Sequence, residues 1–267
     1  MQPEVLNHDP TLKIDSDKTK IQENLNDSKH GLFNQYTCFL EDNNNKIQFI
    51  TKHFYDSEMI VFSQIYPEGI KNSNTFFPDA YHRELVSTAF PSFDVPNGEF
   101  NETIGFLSFG NEGWGRLYGE SYGKFENDQA LIHQGLQSGP FLLFDTSGNS
   151  LVVSSANHHM VHQFSAPYSH DFNQTDKISN DGPSPRRIYV GMQGSVDEIP
   201  VNFELETLVS YSKCTKYDTI SCGLDKWGDK LLRHNNNRRK LTKTESTDII
   251  RDYIGYWTDK GAYIMLK

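Results

Sequence analysis

The sequence predicts a mainly β protein, and three observations point there. Phe and Tyr are abundant, at 18 and 13 residues, alongside 19 Gly and 11 Pro. Only 22% of the chain is charged, unlike the Ala/Leu/Glu/Lys mix of helical bundles. Short apolar runs bounded by Asp, Asn, Pro and Gly recur along the chain, as strands joined by turns do. With 267 residues, 36% of them hydrophobic, the chain can bury a sizeable core without a metal or disulfide staple.

The elements follow in order. Residues 1–30 are polar, dominated by Asp, Asn and Lys without apolar periodicity, and read as a disordered arm. A β domain is expected over 31–215. Within it Ile47, Phe49, the run Met59–Phe62 and Ile65-Tyr-Pro-Glu-Gly69 suit strands of a meander. Phe141–Phe144 and Leu151–Val153 flank the turn residues Asp145-Thr-Ser-Gly-Asn-Ser150, the clearest hairpin signal in the chain. Arg187–Gly191 and Leu205–Tyr211 add two strands, and 171–185 is polar, Pro/Gly-punctuated loop. Over 216–248 the pattern changes. Ile220, Leu224, Trp227 and Leu231 recur at helical spacing behind Asp218 or Thr219 as a cap, predicting a helix of about four turns, and the basic stretch His234–Lys240 then ends it. Residues 249–267 hold one more strand-like run, Tyr253-Ile-Gly-Tyr-Trp257.

A net charge of −10 and a pI near 5.4 exclude an electrostatic footprint for nucleic acid. No run approaches the ~20 apolar residues that span a bilayer, and the first twenty residues lack an apolar signal-peptide stretch, so a soluble chain with no address is expected. Three cysteines without CxxC spacing indicate neither a zinc knuckle nor a complete disulfide framework, and a Cys214–Cys222 bridge stays open. Asn26, Asn101 and Asn173 begin glycosylation sequons, which a chain this rich in Asn produces by chance. His158, His159 and His162 invite a metal. In a strand the outer two would lie ~13 Å apart, which favours hydrogen-bonded histidines, and neither metal nor organic cofactor is expected. No nucleophile elbow, Walker loop or dinucleotide fingerprint appears. Trp114 sits between Gly113 and Gly115, where an indole could stack on a sugar or cap a sheet edge. Trp257, Thr258 and Asp259 follow the last strand-like run, the place where barrel enzymes build their sites.

Several segments taken in order resemble a known group. Ile254-Gly-Tyr-Trp-Thr-Asp-Lys-Gly-Ala-Tyr263 is similar to a segment of raffinose synthases and family 36 α-galactosidases. Phe90-Pro-Ser-Phe93, Ser138-Gly-Pro140 with Leu143-Phe-Asp145, Val153-Ser-Ser-Ala-Asn-His158 with Met160, Gly194-Ser-Val196 with Pro200 and Phe203, and Trp227-Gly-Asp-Lys-Leu-Leu232 occur in the expected order, so the resemblance spans Phe76 to Tyr263. It implies a large antiparallel β-sandwich, a C-terminal linker helix and the first strand of a truncated (β/α)8 barrel whose catalytic aspartates lie further on. A fragment, a truncated gene model or a paralogue without its barrel would account for the pattern. Lys260 in place of Asn and Ile264-Met-Leu in place of an aromatic run depart from it. The implied function is a non-catalytic, carbohydrate-associated sandwich packed against a barrel, with Trp257, Asp259 and Trp114 as contacts to an oligosaccharide or galactoside and no catalytic residue in the chain. The alternatives are a stand-alone carbohydrate-binding module with Trp114, Tyr118 or Trp257 as stacking platforms, and a pseudoenzyme or interaction protein.

Overall fold

A computed structural model describes residues 4–5, 13–14, 18–41, 46–73, 86–94, 104–110, 119–125, 139–165, 187–215 and 217–237. The strands are β1 (Glu4–Val5), β2 (Lys13–Ile14), β3 (Lys20–Asp27), β4 (Gly31–Glu41), β5 (Lys46–Phe54), β6 (Met59–Tyr66), β7 (Ile70–Lys71), β8 (Val86–Asp94), β9 (Gly105–Gly110), β10 (Gly119–Lys124), β11 (Phe141–Phe144), β12 (Asn149–Ser155), β13 (His162–Ser165), β14 (Arg187–Gln193), β15 (Glu198–Ile199) and β16 (Phe203–Lys213), followed by one helix, α1 (Thr219–His234). A ten-stranded sheet runs β10-β9-β11-β12-β16-β6-β5-β4-β2, with β3 also on β4; a four-stranded sheet runs β1-β8-β14-β13. The pairing within both is antiparallel. The expected mainly β sandwich is what forms.

The core lies between the two sheets. Phe49 and Phe62 of the large sheet meet Phe90 of the small one at ring separations of 4.7 and 5.3 Å, and Phe141 stacks on Phe164 at 4.3 Å. A buried polar network centred on Gln64 crosses this interface. The Gln64 amide donates to the Phe90 carbonyl at 3.0 Å, while its oxygen accepts from Tyr66 Oη at 2.9 Å and Thr88 Oγ1 at 2.7 Å. Each group is satisfied, so burial costs little and the pairing of sheets is specified.

The run Met59–Tyr66 does not alternate because both its faces are covered. Phe62 and Tyr66 face the small sheet, whereas Met59 and Val61 join Phe33, Phe54, Ala156 and Leu208 on the outer face, under Trp227 and Leu231 of α1. Trp227 Nε1 donates to Ser154 Oγ at 2.8 Å. Lys230 reaches across the sheet end, donating to Glu58 O, Ser210 Oγ and Tyr211 O at 2.9–3.2 Å, and burial lowers its pKa to about 8.

The predicted helix appears with its face rotated. Thr219 and Gly223 are the helix residues most deeply buried, and Ile220, expected on the buried face, is 37% exposed. The glycine explains this: a Cβ on Gly223 would lie 2.7 Å from Ser150 Oγ, so only Gly lets the backbone settle this close to the sheet. Asp218 occupies the N-cap without a side-chain cap bond. The first turn is held instead by a disulfide between Cys214 and Cys222, the pairing that the odd cysteine count left open. Closing so short a loop contributes about 2–3 kcal/mol. Replacing both cysteines by serine is therefore expected to lower the unfolding free energy by that amount, measured by urea unfolding at neutral pH; an unchanged midpoint would refute it.

One expectation is corrected outright. Residues 20–27, read as part of a disordered arm, form β3, paired with β4 from Lys20↔Thr37 to Asp27↔Gly31. Its turn is built locally: Asp27 Oδ1 accepts from the amides of Lys29 and His30 at 2.8 Å, and Gly31 takes φ +84°. The predicted loop 171–185 and the strand-like run from Tyr253 lie outside the described residues.

A candidate binding groove beside the helix

The helix covers the outer face of the large sheet over β11, β12 and β16 but stops short of β9 and β10. That uncovered corner forms a groove of about 1050 Å³. Cross-strand pairing of Leu107 with Tyr122 and with Leu142 puts these three on the outer face, and Phe109 follows two residues on. Tyr217 and Ile220, just before and at the start of α1, form the opposite wall.

Glycines shape the floor. At Gly105 a side chain would collide with the Phe144 ring, and at Gly139, behind Phe109, a Cβ would fall 2.8 Å from the ring, so both aromatics pack against bare backbone. Tyr122 is 72% exposed and Tyr217 89% exposed, large apolar faces turned to solvent. Lys124, Asp145 and Asp218 add charge at the rim. Asp145 is also the hairpin's organiser, accepting from the amides of Ser147 at 2.9 Å and Asn149 at 2.8 Å. Aromatic walls with a few polar groups at the edge suit a ligand with both apolar faces and hydroxyls.

Trp114, Tyr118, Trp257 and Asp259 lie outside the described residues. The histidine cluster does not converge. His162 is fully buried with Nε2 2.8 Å from Thr207 Oγ1, and burial lowers its pKa to about 3; His158 leaves the strand path at φ 45° and packs on Phe203 at 4.6 Å. Among the described residues no group of three or more His, Cys, Asp or Glu could hold a metal ion, and no helix is long and apolar enough to cross a membrane. The groove itself was missed. Tyr122 within Tyr-Gly-Lys and Gly139 of the Ser-Gly-Pro block were its sequence signals, an exposed aromatic beside glycines and a glycine where an aromatic needs room.

Fold and groove together define a two-layer antiparallel β-sandwich with a helix on its outer face and an aromatic-lined cleft beside that helix. No protein-family model and no curated protein matches the sequence. Among solved structures the chain is similar to the α-galactosidase from Lactobacillus brevis, with 13% identity and a TM-score of 0.44 over 84% of this chain and 29% of that one, so it spans less than a third of that enzyme's length.

Proposed function

We propose that this chain is a non-catalytic, carbohydrate-associated β-sandwich of a glycoside-hydrolase-like protein related to α-galactosidases and raffinose synthases, and that the groove beside α1 takes a neutral sugar. The observation that carries the reading is the groove's composition: Phe109, Tyr122, Phe144 and Tyr217 together with hydroxyl and charged groups of Lys124, Asp145, Asp218 and Thr219. Support also comes from the order of the sequence blocks from Phe90 to Leu232 and from a sandwich followed directly by a helix, the arrangement their resemblance implies. In this role the domain braces a barrel and shapes one side of a sugar pocket, with a galactoside as the expected ligand, and Trp114, Trp257 and Asp259 remain proposed contacts.

The test is titration of the purified 267-residue chain with methyl α-galactoside and raffinose. Binding is expected near millimolar Kd, about −4 kcal/mol, and Tyr217→Ala should weaken it about tenfold while the chain stays folded at the titration temperature, since the side chain is 89% exposed. The same preparation should not hydrolyse nitrophenyl α-galactoside. Measurable turnover would overturn the non-catalytic assignment, and unchanged affinity in Tyr217→Ala would remove the groove from it.

A further inference from the structure

Among the described residues, the four-stranded sheet does not cover the whole inner face of its larger partner. Along β4, Leu40 and Cys38 belong to the buried core, and by strand alternation Tyr36, Asn34 and Leu32 continue the same face, where Tyr36 is 42% and Leu32 50% exposed. Asn34 pairs with His53 of β5, and Tyr55 follows on that face, 49% exposed.

These side chains are held rather than loose. The Asn34 amide donates to Tyr55 Oη at 3.1 Å, and its oxygen is fixed by the Asn24 amide at 3.0 Å. His53 lies against the Tyr55 ring at 3.9 Å between centroids, and its Nε2 is 2.9 Å from Tyr211 Oη. Because Tyr55 Oη accepts from Asn34, its own proton is left to donate outward. Such preorganisation spares the ligand the cost of ordering rotamers.

The structure assigns a second binding site to this face: we propose that Tyr36 and Tyr55 stack on a neutral oligosaccharide, with Asn34, His53 and Tyr211 locking the Tyr55 end. Three properties select that ligand. Tyr36 pairs with Thr51 and Asn34 with His53, and the Tyr55 ring folds back onto His53 and Asn34, so the two tyrosines stand ~7 Å apart along the strand, a span for two linked sugars rather than one. The five members carry no carboxylate or ammonium, and burial lowers the His53 pKa, which favours its neutral imidazole; the charges that reach the cluster, Glu58 and the Lys230 ammonium 6.0 Å from the Tyr211 ring, both act at Tyr211. The exposed rings are tyrosines with hydrogen-bonded edges, suited to a hydroxylated ring more than to an aliphatic surface. The carbohydrate class rests on the function proposed above; the site does not use the groove beside α1, which lies on the opposite face of the sheet.

The experiment is NMR titration of the full chain with raffinose and maltotriose, with trigalacturonate as the charged control. Saturable shifts are expected at Tyr36 and Tyr55. Tyr55→Ala and Tyr36→Ala should each weaken this response about tenfold, Tyr55→Phe several-fold, and Tyr217→Ala should leave it unchanged. Shifts confined to Tyr122 and Tyr217 would overturn this site and leave the proposed function standing, whereas no response at either set would overturn both. Tighter binding of trigalacturonate than of the neutral sugars would overturn the ligand class. A concentration-dependent dimer dissolved by the Tyr36→Ala/Tyr55→Ala double variant would assign the face to a second copy and overturn the proposal.

Discussion

Lowering the pH from 7 to 5 is expected to destabilise this domain by several kcal/mol, chiefly through two buried histidines. Burial lowers the His162 pKa to about 3; His30 falls to about 4 through burial first, then the positive charge of His234 in the stacked pair, whose ring centroids are 5.6 Å apart. In the unfolded chain both titrate near 6.5. Between the folded and unfolded values the unfolded state binds more protons, so stability is complete above pH 6.5 and falls as pH drops through the window toward 4 and 3. At about 1.4 kcal/mol for each pH unit, His162 alone amounts to on the order of 5 kcal/mol at the acid limit and about 2 kcal/mol by pH 5. His30 adds a smaller share. Its surroundings include Asp27 and Lys29 of its own turn, Glu206 of β16, which bonds His234 at 3.1 Å, and Arg233 of the helix. Asp27 and Glu206 act at lower pH, where hydrogen bonds hold both carboxyls below their ordinary values although burial, the largest effect on each, opposes this. Denaturant midpoints at pH 7.5, 6 and 5 measure the effect. His162→Gln, which retains a polar partner for Thr207 and cannot be protonated, should flatten the curve, and an equal fall in wild type and variant would disprove the role of His162.

Gly191→Ala is expected to be the most damaging small substitution, costing about 3 kcal/mol or more. Gly191 faces Ala89 across the β14–β8 ladder beside an irregularity in register. An added Cβ would collide with the Thr88 carbonyl and lie 2.7 Å from the Gln64 amide nitrogen. Neither can yield: Thr88 backbone is part of a strand paired on both sides, and Gln64 is committed to Phe90, Tyr66 and Thr88. The clash therefore breaks the Gln64 network that joins the two sheets and leaves buried amide groups unpaired. Gly31→Ala is the control, since Gly31 has φ +84° and open space around it, so only the left-handed backbone cost of about 1–2 kcal/mol applies. If urea midpoints place Gly191→Ala no lower than Gly31→Ala, the account fails.

Local chemistry was readable in the sequence, and contacts between distant segments were not. The hairpin at 141–155 follows from Asp145 and Gly148, which build their turn within six residues. The helix followed from its period, but its orientation did not, because a close approach at Gly223 is a property of the sheet beneath it. β3 was hidden by its own exposure: Gln22, Glu23 and Asn24 face solvent, so composition resembles disorder while backbone pairing to β4 supplies the order. The groove joins Tyr122 to Tyr217, 95 residues apart in the chain, and no spacing rule connects them.

The placement of the helix also sets a schedule for synthesis. Met59 and Val61 are made early, yet their covering residues Trp227 and Leu231 are translated some 170 residues later. At typical elongation rates that interval is roughly 10–30 s. During it the outer face of the nascent sheet is an apolar surface awaiting its lid, so this layer of the core closes only after the strands beneath it have all been made.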